Sequence, residues 1–101
     1  MTDLEITKLC AEAMGITGWL TGDDPMVTNE AGEFVEPYDP LHDDAQAMAL
    51  VKKFELCISS EQDRNGKRWE AGDGDGRVVG ESKDLNRAIC LCVANMQQAK
   101  A

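Results

Sequence analysis

The chain has 101 residues, 43% hydrophobic and 29% charged, with 19 acids against 10 bases and a net charge of −9. That length holds one domain with one core, and the apolar fraction belongs to a folded chain, not a disordered one. No apolar run approaches the roughly 20 residues of a membrane helix, and the start MTDLEITK lacks the basic and apolar regions of a secretory signal, so a cytoplasmic protein is expected.

The first helix is expected from Asp3 to Met14. Thr2 and Glu5 have the spacing of a capping box, and Gly15 stands where a left-handed residue ends a helix. Ile6, Leu9, Cys10, Ala13 and Met14 form its inner face; Asp3, Glu5, Lys8 and Glu12 lie outside. Residues 15–38 follow, with Gly15, Gly18, Gly22, Pro25, Gly32 and Pro37 separating the short apolar pieces Trp19-Leu20, Met26-Val27 and Phe34-Val35. None is long enough to establish an alternating strand, so this segment reads as a long, acidic, ordered loop with a minor hairpin near Asn29 to Gly32.

Asp39-Pro40 carries the residue types of a helix start, a carboxylate N-cap and a proline in the first helical position. The predicted second helix has one apolar stripe of Leu41, Ala45, Met48 and Val51, with Ala47, Leu50 and Phe54 beside it. Asp43 and Asp44 suit its positive end, and Lys52 and Lys53 its negative end. A three-stranded antiparallel meander is then expected. Its strands are Phe54 to Ser60, Lys67 to Ala71 with Trp69 in the core, and Arg77 to Glu81. They are joined by turns at Asp63–Gly66 and Gly72–Gly76. The last helix, Asp84 to Ala99, repeats Leu85, Ala88, Ile89, Cys92, Met96 and Ala99 at steps of three and four. Leu91 and Val93 widen that face, which predicts packing on a sheet. The predicted fold class is α+β: one domain over residues 1–101, a three-stranded antiparallel meander layered with helices in the order α, loop, α, β, β, β, α.

The charge is unevenly placed. Between Lys8 and Lys52 there is no base, and nine acids: Glu12, Asp23, Asp24, Glu30, Glu33, Glu36, Asp39, Asp43 and Asp44. Nucleic-acid binding requires phosphate-neutralising Lys and Arg, so direct binding is disfavoured and a basic protein partner fits better.

Four cysteines, Cys10, Cys57, Cys90 and Cys92, fall in apolar periodic segments without a CxxC pair, far from the one histidine, His42. They read as buried, reduced core residues rather than zinc ligands or disulfides. Asp73 and Asp75 have the spacing of the first two ligands of a calcium loop. Arg77 and Val78 then stand where a third oxygen ligand and a glycine are needed, so the segment reads as a hairpin turn. His42 beside Asp39, Asp43 and Asp44 has the composition of a general base and its orienting acid, but no nucleophile is placed with it, and a solvated position is expected. No metal or cofactor is expected.

The segments Ala11-Glu12-Ala13-Met14-Gly15, Tyr38-Asp39-Pro40-Leu41, Trp69-Glu70-Ala71 and Asn86-Arg87-Ala88-Ile89-Cys90 resemble the phage ABA sandwich domain family, small phage and prophage proteins of unknown function. The resemblance implies a sheet layered between helices and a phage or prophage gene acting in bacterial cytoplasm. It carries no common activity, so it transfers no functional residue.

The functional expectation is a non-enzymatic accessory protein that binds a host or phage protein through an acidic surface. Its candidate contacts are Trp19, Asp23, Asp24, Glu30, Glu33, Glu36, Tyr38, Asp43 and Asp44, aromatics flanked by acids. One specific form is inhibition of a host defence complex whose cationic groove receives carboxylates in place of phosphates. The alternative is an oligomer that sequesters a small ligand or nucleotide between subunits.

Overall fold

The computed structural model describes residues 2–16, 18–20, 24–28, 34–64, 66–74 and 77–99, with 18–20, 24–28, 34–36, 63 and 78 described by backbone alone. Helix α1 spans Asp3–Ala13. The first half of the predicted capping box is present: the Glu5 amide donates to Thr2 Oγ1 at 3.2 Å, and the Glu5 carboxylate accepts from that hydroxyl. Met14 closes the helix, and Gly15 follows at φ +74°, a backbone angle that favours glycine. Ile6, Thr7, Cys10 and Ala11 are buried.

The predicted loop at 15–38 is instead an antiparallel three-stranded sheet, β1 (Gly18–Leu20), β2 (Asp24–Thr28) and β3 (Phe34–Pro37), in the order β1-β2-β3. Trp19 pairs with Pro25 and Val27 with Glu36, and the register shifts between Val27 and Thr28. Both prolines that argued for a loop lie within the paired residues, Pro25 opposite Trp19 and Pro37 opposite Met26. Pro25 lies beyond the β2–β3 pairing, and Pro37 ends an edge strand. The expected hairpin tip near 29–32 lies outside the described residues, although β2 and β3 pair on either side of it.

Helix α2 spans Asp44–Phe54 and begins one turn later than expected. The Asp39 carbonyl accepts from the His42 and Asp43 amides, at 3.1 and 2.9 Å, making a tight turn. The Asp39 carboxylate is engaged with the His42 ring at 2.9 Å, and Asp43 takes over the cap, accepting from the Gln46 amide at 3.0 Å. Gln46 also fastens the helix to β3: its amide donates to the Pro37 carbonyl, and its side-chain oxygen accepts from the Asp39 amide. Phe54, expected to open a strand, ends the helix. Glu55 at φ +52° reverses the chain, and the Leu56 amide closes back on Val51 at 3.0 Å. This left-handed stop is made without glycine, so no residue type announced it.

The meander follows as β4 (Cys57–Asp63), β5 (Gly66–Gly72) and β6 (Val78–Ser82), antiparallel in the order β4-β5-β6. Asp63 pairs with Gly66 across a two-residue connection, with Gly66 at φ +108°. Ala71 is fully buried, whereas Trp69 is only half-buried, with the Lys67 ammonium 4.5 Å from its ring centre. Trp69 thus stands partly exposed in the middle of the central strand, paired with Ser60 and Ser82, rather than in the core as expected, and a cation can cover one ring face. Cys57 is exposed, correcting its core assignment, because it alternates with Ile58 on the other face of β4.

Helix α3 (Leu85–Ala99) is the middle layer. One side packs on β5 and β6, and the other on α1 and α2. The resemblance implied a sheet between helices, whereas here a helix lies between the meander and the other helices. Ala88, Ile89, Cys90, Cys92, Val93 and Ala94 are buried almost all round, and burying Ile89 and Val93 contributes about 2 kcal/mol each.

Gly80 of β6 makes this packing possible. A Cβ there would lie 2.5 Å from the Cys92 nitrogen, 3.1 Å from its Cα, and closer still to the Ala88 carbonyl oxygen. These are backbone atoms of a helix, which cannot turn aside. The Asn95 side-chain amide fastens the same edge, donating to the Val79 carbonyl at 2.7 Å. Gly80→Ala is therefore expected to cost about 3 kcal/mol or more, measured as a lowered urea midpoint. A loss below about 1 kcal/mol would count against this close approach.

Candidate functional site

The nine predicted contact residues do not form one patch among the described residues. Asp23, Glu30 and Glu33 lie outside them, and Trp19, Asp24 and Glu36 are described only as backbone positions in β1, β2 and β3. Tyr38 is 5% exposed and belongs to the core, so it pins its own segment instead of offering a surface. Asp43 is half-buried as the α2 cap, and Asp44 is exposed, accepting from the Asn86 amide of α3 at 2.8 Å.

Residues that sequence reasoning assigned to the core define the surface of α2. Of the predicted stripe, Leu41 is buried and Val51 packs partly against the core, whereas Ala45 is exposed and Met48 is 45% exposed, and Ala47 and Leu50 of the neighbouring row point inward. Both stripes are apolar at helical spacing, so periodicity alone could not choose between them. A groove runs on each side of α2. One, of about 310 Å³, has an apolar floor of Ala47, Leu85 and Ile89, with Asp44 and Asp84 at its edge. The other, of about 410 Å³, is lined chiefly by Met14, Ile16, Tyr38, Ala45 and Ala49. Asp44, Asn86 and Asp84 come together only because α2 and α3 start side by side, and no signal in the chain joins residues 42 positions apart.

Beneath this surface lie three buried thiols and a buried phenol. The Cys10 thiol donates to the Cys90 carbonyl at 3.4 Å. The Cys90 thiol is pushed well up from its ordinary value, first by its hydrogen bond with the Cys10 side chain and then by burial. Burial, with the field of Asp73, pushes the Cys92 thiol up to about 11. Burial also raises the Tyr38 phenol, with further contributions from Cys10 and Cys90. Thiols held neutral are poor nucleophiles and poor metal ligands. Among the described residues no group of three or more His, Cys, Asp or Glu side chains could hold a metal ion. His42 is exposed and paired with Asp39, and Asp73 closes the β5–β6 turn by accepting from the Arg77 amide at 3.1 Å.

Comparison of the chain with family models, with curated proteins and with solved structures finds no match. No helix among the described residues is long and apolar enough to cross a membrane.

The Tyr38 hydroxyl is buried and has no hydrogen-bond partner among the described residues, a state that costs about 1–3 kcal/mol. Tyr38→Phe keeps the ring and removes the orphan group. It is expected to raise stability by about 1 kcal/mol in urea titration, and a loss instead would reveal a bond to the hydroxyl.

The raised thiols give a second test. Folded Cys92 keeps its proton to about 11 against an ordinary 9.0. The unfolded chain thus releases protons that the folded chain retains, and stability falls as pH rises through that window. The expected loss from Cys92 is about 2 kcal/mol between pH 9 and pH 11. Urea titrations across this range should show it, with a smaller slope for Cys92→Ala.

Proposed function

We propose that the chain is a non-enzymatic phage accessory protein, acting in the cytoplasm of a bacterial host, that binds a basic surface of a host or phage protein through its acidic segment. The observation that carries this reading is the charge block: nine acids and no base between Lys8 and Lys52, in a chain whose remaining ten acids and ten bases balance. An acidic field of this kind steers a cationic partner and repels nucleic acid. The paired strands β1–β3, which hold Asp24 and Glu36 in register with neighbouring residues, support a presented surface over a solvated tail. The resemblance to small phage proteins supports the setting. A host defence complex with a cationic nucleic-acid groove is a partner of the right chemistry, with carboxylates taking the place of phosphates.

The test is capture from bacterial host lysate by the tagged protein, washed at low and high salt, beside a variant with Asp23, Asp24, Glu33, Glu36, Asp43 and Asp44 changed to their amides. Asparagine still caps a helix, so α2 is retained. A specific partner lost at high salt and absent from the variant is expected, since screening acts on exposed charges. A partner that survives neutralisation would overturn the proposal.

A further inference from the structure

On its outer side α2 carries a row at four-residue spacing that reads acid, apolar, base: Asp44, Met48 and Lys52. All three are exposed, on a helix whose opposite face buries Ala47 and Leu50. The neighbouring row, Ala45 and Ala49, has short side chains and forms a trough beside Met48. Rows at this spacing are the ridges and grooves by which helices pack on one another. Lys52 is exposed, so the cation is within reach of a partner.

The row is complementary to itself in only one orientation. Asp44 and Lys52 lie about 6 Å on either side of Met48 along the helix axis. Two such helices laid parallel would set acid against acid and base against base. Laid antiparallel about a twofold axis at Met48, they set Asp44 against Lys52 twice and drop each methionine over the other helix's Ala45 and Ala49. Like-charge contact across an interface costs several kcal/mol, whereas the opposed pairs set the register. A twofold interface requires such a self-complementary patch.

We propose that the outer face of α2 is a homodimer interface, occupied by α2 of a second copy running antiparallel, with Met48 at the twofold axis and two Asp44–Lys52 pairs flanking it. The helices cross at about 50°, as ridges at four-residue spacing dictate. One short row buries far less than the about 800 Å² per partner of a standard interface, so the dimer is weak and forms with rising concentration. It engages Asp44 within the dimer and leaves Asp24 and Glu36 of each copy to the partner proposed above. It does not depend on that partner.

Sedimentation equilibrium of the intact chain, from micromolar to millimolar concentration, tests it. Wild type is expected to pass from monomer to dimer. Met48→Asp, Asp44→Lys and Lys52→Asp alone are each expected to raise the dimer dissociation constant at least about tenfold. The decisive sample is an equimolar mixture of Asp44→Lys with Lys52→Asp. Each is repelled by its own copies, yet the two present opposite charges at every pair and form a heterodimer. All three positions are exposed, and circular dichroism confirms that each variant is folded; if Asp44→Lys unfolds, Met48→Asp and Lys52→Asp decide. Wild type that stays monomeric, Met48→Asp or Lys52→Asp that dimerises like wild type, or a mixture of folded variants that stays monomeric overturns the proposal.

Discussion

The backbone contact between Gly80 and the Ala88–Cys92 turn of α3 is the constraint on which the rest depends. A sheet and a helix normally stand apart by the length of their side chains. Here one strand touches the helix backbone, and the neighbouring positions must be small: Ala71, Ala88 and Cys92 are all fully buried. With the sheet drawn in on one side, α3 has its other side free for α1, where Cys10 meets the Cys90 carbonyl, and for α2. The core is therefore built from alanine, cysteine and medium aliphatic side chains, in a chain with only five aromatic residues. Close approach replaces bulk.

That arrangement leaves α2 as an outer helix, held by one face and by its ends. Gln46 ties its start to β3, Asn86 ties Asp44 to α3, and the left-handed turn at Glu55 sends the chain into the meander. Apart from the Asp44 contact with Asn86, the exposed side is then free of folding duties and carries acid, methionine and base in sequence. The same physics separates the two proposed roles. The acidic segment acts through a field that needs no exact geometry, whereas the α2 row acts through short-range register. The Cys90 and Cys92 thiols and the Tyr38 phenol beneath contribute packing and resist ionisation.

Local chemistry was legible where one residue type has one outcome. Thr2 with Glu5 capped α1, Gly15 and Gly66 took positive φ, and the apolar repeat of α3 marked a helix packed on a sheet. The reading failed where two outcomes shared a composition. Asp39 and Asp43 are equally good caps by residue type, and in the structure Asp43 caps α2 while the Asp39 carboxylate meets His42. Trp19-Leu20, Met26-Val27 and Phe34-Val35 are each too short to show alternation, and pairing with one another makes them strands.

By itself the sequence determined the class of fold, the helix at each end, the meander and the charge block, because caps, periodicity and net charge are local or additive properties. Tertiary structure alone decided which of two apolar stripes of α2 faces inward, that Tyr38 is core while Cys57 is exposed, and that Asp44 meets Asn86 across 42 positions of sequence. Those outcomes depend on which surfaces compete for burial against the same neighbour, and that competition is settled only when the neighbour is in place.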